Sequence, residues 1–448
     1  MFVADVRRIA MLAWPVLIGQ LAVIAFGVLD TAMAGRASAA DLAAIGLGGS
    51  IYVTVYISLM GVLQALSPIA GQLYGAEKHG EIGEEVRQAV WLGLVLAGMG
   101  MLILWFPTPL LQLANATPEL TEKATAYLRY EALALPAALG FRIYSALNNA
   151  LSRPVMVTVL QLAGLVIKFP LNALFLYGGM GISAMGGPGC ALASMIISWL
   201  WFIAAAAILM RNPAYKPFAI FTHYSPPNRV RLWALVRLGV PMGFTYLIEV
   251  TSFTLMAIFI ARLGTVVLAG HQIAANLAAV AYMVPLSLSI AASTLVAQSI
   301  GARDHIAARR IALNGIKLAV ACAAVVGVAV LVLRRDLVGL YTTDAAVMAI
   351  AVTLLPFIAL YQMFDALQVM TAFILRAYKI ALIPTIIYAL SLWGVGLGGG
   401  YVLGFGLLGN VATALHGATG FWAANGISLM LAGALLLGYF HRVSCAES

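Results

Sequence analysis

Residues 238–261 read LGVPMGFTYLIEVTSFTLMAIFIA, with arginines at 237 and 262 and a single charge, Glu249, near the centre. About 20 mostly apolar residues are needed for a helix to cross the hydrocarbon core, and this run is long enough. It lacks the alternation of roughly ten-residue barrel strands. It therefore predicts a membrane-spanning helix with a carboxyl group inside it. Eleven further apolar runs lie between charged or Gly/Pro-rich breaks. Together the expected spans are 9–34, 42–74, 86–108, 120–147, 154–177, 188–210, 237–262, 265–300, 306–333, 345–375, 381–403 and 412–440. Composition agrees: of 448 residues, 63% are hydrophobic and 9% charged. A soluble chain carries about 25% charged residues, so there are too few charges here to cover a soluble surface. A cytosolic enzyme is excluded, and so is a disordered chain, which needs the opposite balance.

The first segment, MFVADVRRIAMLAWPVLIGQ, has the basic start of a signal peptide. Its apolar run continues past Trp14-Pro15 with no small-residue cleavage site, so it reads as an uncleaved first span. Cys190, Cys322 and Cys445 stand singly and form no CxxC pair or disulfide framework. The six histidines have no metal-ligand spacing. No cofactor is expected.

The 25 basic residues sort by side. With the N-terminus in the cytoplasm, eighteen fall in cytoplasmic segments and six in external ones, and Lys168 lies within a span. That asymmetry obeys the positive-inside rule. It accounts for the net charge of +9 without nucleic acid, and no basic–aromatic cluster of a nucleic-acid-binding kind is present. Both termini are expected in the cytoplasm.

The chain repeats itself at one constant offset. Pro15 superposes on Pro241, Arg36 on Arg262, Ser67 on Ser293, Gln72 on Gln298 and Gly75 on Gly301. Six spans per half gives the halves one orientation, as in parallel-repeat transporters. The expected fold is all-α and polytopic, with twelve transmembrane helices in two six-helix lobes related by a pseudo-two-fold axis. The N-terminal lobe is 1–211, the cytoplasmic linker 212–229 (NPAYKPFAIFTHYSPPNR) and the C-terminal lobe 230–448. The Gly-rich stretches 178–189 and 394–409 follow no strand and are not phosphate loops. They are expected to form tight external turns and close helix contacts.

Most of the 16 acidic residues fall in loops. Three are expected within spans: Asp30, Glu249 and Asp365. An ionisable group at the bilayer centre costs roughly 2.5–3.5 kcal/mol on insertion scales, and such groups mark ion or proton paths. If the helices of Glu249 and Asp365 adjoin, the two carboxylates cannot both ionise cheaply in a low dielectric. The pair would then hold a proton, or offer hard oxygens to Na⁺. Tyr361 lies four residues before Asp365, on the same helix face. Tyr282 could present its ring to a cation. Gln272 and Asn276 form a polar stripe with His271 beside them, and Lys168 lies near Asn172. Lys168 either counters a first-half carboxylate or snorkels to the interface. The second-half span interiors are expected to carry acids and neither Lys nor Arg.

At these residues the chain resembles the multidrug and toxic compound extrusion (MATE) family, nearest its NorM-like branch. The likeness rests on LDTAMAGRASAADLAAIGLG, SPIAGQLYGA, VPMGFTYLIEVTSF, LAGHQIAANLAAVAYMVPLSLSIAASTLVAQSIGA and YQMFDALQV, in that order. The resemblance implies two six-helix lobes around a V-shaped cavity with alternating access. It also implies export of lipophilic cationic drugs and dyes in exchange for Na⁺ or H⁺, by a monomer in a bacterial inner membrane and in contact with lipid. Carried over by motif, Glu249, Asp365, Tyr361 and Tyr282 would bind the cation, which Glu249 and Asp365 would hold as a metal if it is Na⁺. Asp30, Asn172, Lys168, Gln272 and Asn276 would serve the proton or the drug. Lys168 stands where the family has a small polar residue, and a charge contact between Lys168 and Asp30 is expected.

Two alternatives compete. A lipid-linked oligosaccharide flippase of the same superfamily would need a basic cavity. A lipid-modifying membrane enzyme would need clustered His or Asp, and no such cluster stands out. The charge asymmetry makes its own prediction. A C-terminal fluorescent-protein fusion should fluoresce and a C-terminal alkaline phosphatase fusion should be silent; the reverse result would overturn the orientation.

Overall fold

The computed structural model describes residues 1–113, 117–179, 181–222, 224–407 and 415–446. The start of the expected span 412–440, residues 408 and 409 of the second Gly-rich stretch, Met180 of the first and His223 of the linker lie outside the described residues.

Twelve long helical elements carry the described chain. They are α1 (Phe2–Ala37), α2 (Ala39–Gly75), α3 (His79–Trp105), α4 (Pro118–Ala150), α5 (Val155–Tyr177) and α6 (Gly187–Arg211). After them come α7 (Arg229–Ala261), α8 (Thr265–Gly301), α9 (His305–Val332), α10 (Ala345–Ala377), α11 (Leu382–Gly404) and α12 (Ala418–Ala446). Eleven of them are long and apolar enough to cross a membrane. The twelfth, α4, is 33 residues long but carries Glu119, Glu122, Lys123, Arg129, Glu131 and Arg142. Backbone groups in hydrocarbon must be satisfied internally, which a helix achieves within its own segment.

Several helices overrun the expected spans. Ser38 and Asp344 cap the starts of α2 and α10 by accepting backbone N–H bonds, and Asp304 does the same for α9. The first Gly-rich stretch does form a turn. Gly178, Gly179, Gly181 and Gly186 all have positive φ, a region open to glycine at little steric cost. Among its described residues, the second turns only at Phe405 and Gly406, where Gly406 has a positive φ. Residues 394–404 are helical, and the middle of α11, Ala389–Gly398, is wound wide with i→i+5 bonding. Its glycines instead bring α12 close: a Cβ on Gly396 would sit 3.0 Å from Ser428 Oγ, and one on Gly400 would sit 2.8 Å from the Phe421 ring.

The chain packs as two compact units, Met1–Leu17 with Phe244–Ser448, and Ile18–Gly243. The boundaries therefore fall inside α1 and α7, each two residues beyond a helix-interior proline, Pro15 or Pro241. Those are the two prolines that the repeat superposes. In the first-named unit, Ile9 and Ala13 of α1 join a core built from α7 to α12. Asp5 is buried there and accepts from Arg310 Nε at 3.1 Å and Asn314 Nδ2 at 2.8 Å.

In the other unit, the segment 212–229 is not free. It begins with a short 3₁₀ turn, Pro213–Phe218, and lies along the start of α3. Arg87 Nη1 donates to the carbonyls of Ala219 and Ile220 at 2.7 and 3.0 Å, and Trp91 Nε1 donates to that of Ser225 at 3.0 Å. Arg231 pairs with Glu85 at 2.6 Å.

Close helix approach is testable at Gly189. A Cβ there would sit 2.6 Å from the carbonyl of Phe175, a backbone group that cannot turn aside. Gly189→Val should destabilise the protein by about 1–3 kcal/mol, seen as a lower melting temperature of the purified protein. An unchanged melting temperature would show that α5 and α6 are free to separate.

Candidate functional site

The expected site residues gather in two polar clusters, one in each unit. The first lies in the unit that holds α8 and α10. A cavity of about 400 Å³ is lined by Glu249, Phe253, Gln272, Asn276, Tyr282, Tyr361, Asp365 and Gln368, among others. Helical spacing explains the convergence. On α10, residues 361, 365 and 368 are four and three apart; on α8, residues 272, 275, 279 and 282 repeat at three and four; on α7, 249 and 253 are four apart. Each helix gives one stripe to one cavity.

Within it, Gln368 Nε2 donates to Asp365 Oδ1 at 3.0 Å. Gln368 Oε1 is buried and accepts no hydrogen bond. An unsatisfied buried acceptor costs about 1–3 kcal/mol, so this oxygen is positioned for a donor or a cation. Tyr361 packs edge-on against Phe253 and Trp422. His271 is buried behind this wall, and its Nδ1 accepts from Trp422 Nε1 at 3.2 Å. That bond is structural and leaves His271 out of the cavity lining.

The second cluster lies in the unit Ile18–Gly243. Asp30 of α1 meets two residues of α5, Lys168 and Asn172, which are four apart. Lys168 Nζ lies 2.9 Å from Asp30 Oδ2, and Asn172 Nδ2 donates to Asp30 Oδ1 at 2.7 Å. Lys168 Nζ also donates to Ser194 Oγ of α6 at 2.6 Å and sits 4.9 Å from the Phe26 ring. Glycines permit this: a Cβ on Gly164 of α5 would sit 2.5 Å from Trp201 of α6. Lys168 is 1% exposed, so it counters a carboxylate and does not snorkel.

The expected site residues thus divide. Glu249, Asp365, Tyr361, Tyr282, Gln272 and Asn276 come together around the cavity. Asp30, Asn172 and Lys168 come together elsewhere. Gln272 and Asn276, expected as a polar stripe on α8, line the same cavity as Glu249.

Three residues went unread in the sequence. Gln368 follows Asp365 by three, a spacing that puts both on one face. Glu131 is an acid inside α4, 3% exposed, and corrects the expectation that three acids lie within spans. Its signal is the buried stripe Ala124, Tyr127, Leu128, Glu131, Leu135, which it occupies at helical spacing. Arg376, expected on the cytoplasmic side beyond the span 345–375, is buried. It sits in the last turn of α10, is 4% exposed, donates to Tyr246 OH at 3.2 Å and lies 4.5 Å over the Phe373 ring. It is not among the cavity's lining residues.

The sequence model of the MatE family matches residues 15–174 and 241–402, two copies that begin at the repeat-related prolines. The chain belongs to the MATE family. It is 39% identical to a probable multidrug resistance protein NorM of Aromatoleum aromaticum, over 96% of this chain and 92% of that one. It is 36% identical to the multidrug resistance protein PmpM of Pseudomonas aeruginosa, over 90% and 84%. The crystal structure of the Vibrio cholerae MATE transporter VcmN in its bent form has the same fold. The TM-score is 0.87 at 17% identity, covering 100% of this chain and 98% of that one. This MATE protein is therefore a multi-pass membrane transporter and not an enzyme.

Breaking a buried ion pair strands the partner charge and costs about 3–5 kcal/mol. Lys168→Met should therefore lower the melting temperature sharply, and adding Asp30→Asn should restore most of the loss. Equal stability of the wild type and Lys168→Met would show that the pair contributes nothing.

Proposed function

We propose that this chain is a multidrug efflux antiporter. It exports lipophilic organic cations, drugs and dyes, in exchange for Na⁺ or H⁺, and the exchanged cation binds at Glu249 and Asp365. The observation that carries this reading is the cavity itself. It holds two carboxyl groups, two tyrosines and the unpartnered oxygen of Gln368 on the walls of one space, within a MATE-family chain. Carboxylate and amide oxygens suit a hard cation, and the same carboxylates can take a proton. The names of its relatives, NorM and PmpM multidrug resistance proteins, support a drug cargo.

The chemistry is one of differential affinity. A cation at Glu249 and Asp365 relieves their mutual repulsion and biases one conformation. A cationic drug competes for the same negative field, so loading one ligand favours release of the other. The membrane potential contributes roughly 2.3 kcal/mol per charge per 100 mV. Tyr361 and Tyr282 add hydroxyls and ring faces for either cation. Alternating access would carry the drug outward across a bacterial plasma membrane, with both termini in the cytoplasm and the monomer as the working unit. A pyrophosphate-bearing lipid would need bases on the cavity wall, where the charged residues are Glu249 and Asp365.

Purified protein in vesicles, loaded with ethidium and driven by a pH gradient or a Na⁺ gradient in turn, tests the reading and identifies the ion. Glu249→Ala and Asp365→Ala should each reduce gradient-driven efflux to background while retaining the wild-type melting profile. Full activity in both variants would sink the assignment. If Na⁺ drives efflux, Gln368→Leu should raise the Na⁺ concentration needed for half-maximal rate.

A further inference from the structure

The cluster around Asp30 contains more acid than base. Lys168 is matched to Asp30, with Ser194 and the Phe26 ring around the rest of its ammonium. That leaves Glu131 of α4. Its carboxyl is buried and is hydrogen-bonded by the hydroxyls of Tyr127, one turn earlier on α4, and Tyr52 of α2. Gly48 of α2 makes room for this, since a Cβ there would sit 2.7 Å from the Tyr127 ring. The charged groups that act most strongly on Glu131 are Lys168 from α5 and Asp30 from α1. Arg142 of α4 is turned to Tyr56, donating to its hydroxyl at 2.7 Å, and Cys190 of α6 adjoins the Asp30–Lys168 pair.

Two carboxylates against one ammonium would leave a net negative charge among residues that are at most 7% exposed. A buried charge without a partner is prohibitively costly, and the group neutralises itself instead. We propose that Glu131 is a second exchangeable-proton site, internal to the Ile18–Gly243 unit, whose charge is read by Lys168. In the state described here Glu131 carries its proton and Lys168 rests on Asp30. When the Glu131 O–H bond breaks and the proton passes to water, the carboxylate left behind competes with Asp30 for the ammonium. Lys168 is then shared between α1 and α4 and no longer pins α5 to α1 alone. A second observation supports this mobility. Asn172 holds Asp30 through its amide nitrogen, while its Oδ1 is buried and accepts nothing. That free acceptor is available to Lys168 or to a protonated Asp30 as the pairing changes. The proposal is independent of which ion uses Glu249 and Asp365, so the two can fail separately.

Infrared spectroscopy of the purified protein in lipid nanodiscs reads the proton directly, and no drug is needed. At neutral pH the wild type should show a protonated-carboxyl band that disappears in Glu131→Gln, a near-isosteric change. Tyr127→Phe should shift the same band, because it removes one donor. Raising the pH should abolish the band in the wild type. Ethidium efflux by Glu131→Gln should lose one limb of the wild-type pH profile, and Glu131→Asp should restore it. Any of three results would overturn the proposal. The first is a carboxyl band intact in Glu131→Gln. The second is loss of an ionised carboxylate signal there in place of a protonated one. The third is an unchanged pH profile of efflux. If Glu131→Gln folds poorly, the Tyr127→Phe shift alone decides, and an unmoved band would exclude Glu131 as its source.

Discussion

A carboxylate inside a hydrocarbon layer persists only with a counter-charge, a proton or a wall of donors, because water is absent and the charge has nothing else to lean on. The polar interior of this protein is organised by that constraint. Asp30 has the counter-charge of Lys168 at 2.9 Å. Glu131 has the hydroxyls of Tyr52 and Tyr127. Glu249 and Asp365 line a cavity in which Gln368 hydrogen-bonds the carboxylates and leaves an oxygen over. Two of these arrangements tie helices together: Asp30 of α1 to Lys168 of α5, and Glu131 of α4 to Tyr52 of α2.

The two units answer the same constraint differently. In one, the cation is tethered: Lys168 is part of the chain and cannot leave, only change partners. In the other, the charged residues lining the cavity are both acids, Glu249 and Asp365. Arg376 is held against Tyr246 and Phe373 and not at the cavity wall, but its charge acts on Glu249. A duplicated plan has therefore diverged at its most polar positions while keeping its landmark prolines and glycines.

Most of the fold was legible because membrane helices declare themselves by length and hydropathy. The run around Glu249 could be nothing else, and the paired landmarks from Pro15 to Gly75 gave the repeat. The exceptions have physical reasons. Residues 394–404 look like a turn by glycine content, yet backbone hydrogen bonding in hydrocarbon favours helix even there. Glu131 was hidden because α4 carries five other charged residues at its ends and faces, and hydropathy averages over all of them. Only the phase of the helix separates Glu131, on the buried stripe, from Arg129, which lies over the Trp105 ring. Gln368 was passed over because an amide carries no charge, although its spacing from Asp365 was in plain view.

The unit boundaries at Pro15 and Pro241 have a consequence for ancestry. Each unit lacks the opening half-helix of its own repeat and holds that of the other. A single ancestral repeat, expressed alone, would have had an unfilled groove and a protruding half-helix that fits it. Two copies trading those segments would close both grooves, which is a domain-swapped homodimer. Fusion through a segment like 212–229 would then convert an exchange between chains into one within a chain. A cut at that segment would part Ile9 and Ala13 from the core they join, and Gly239 from Val62.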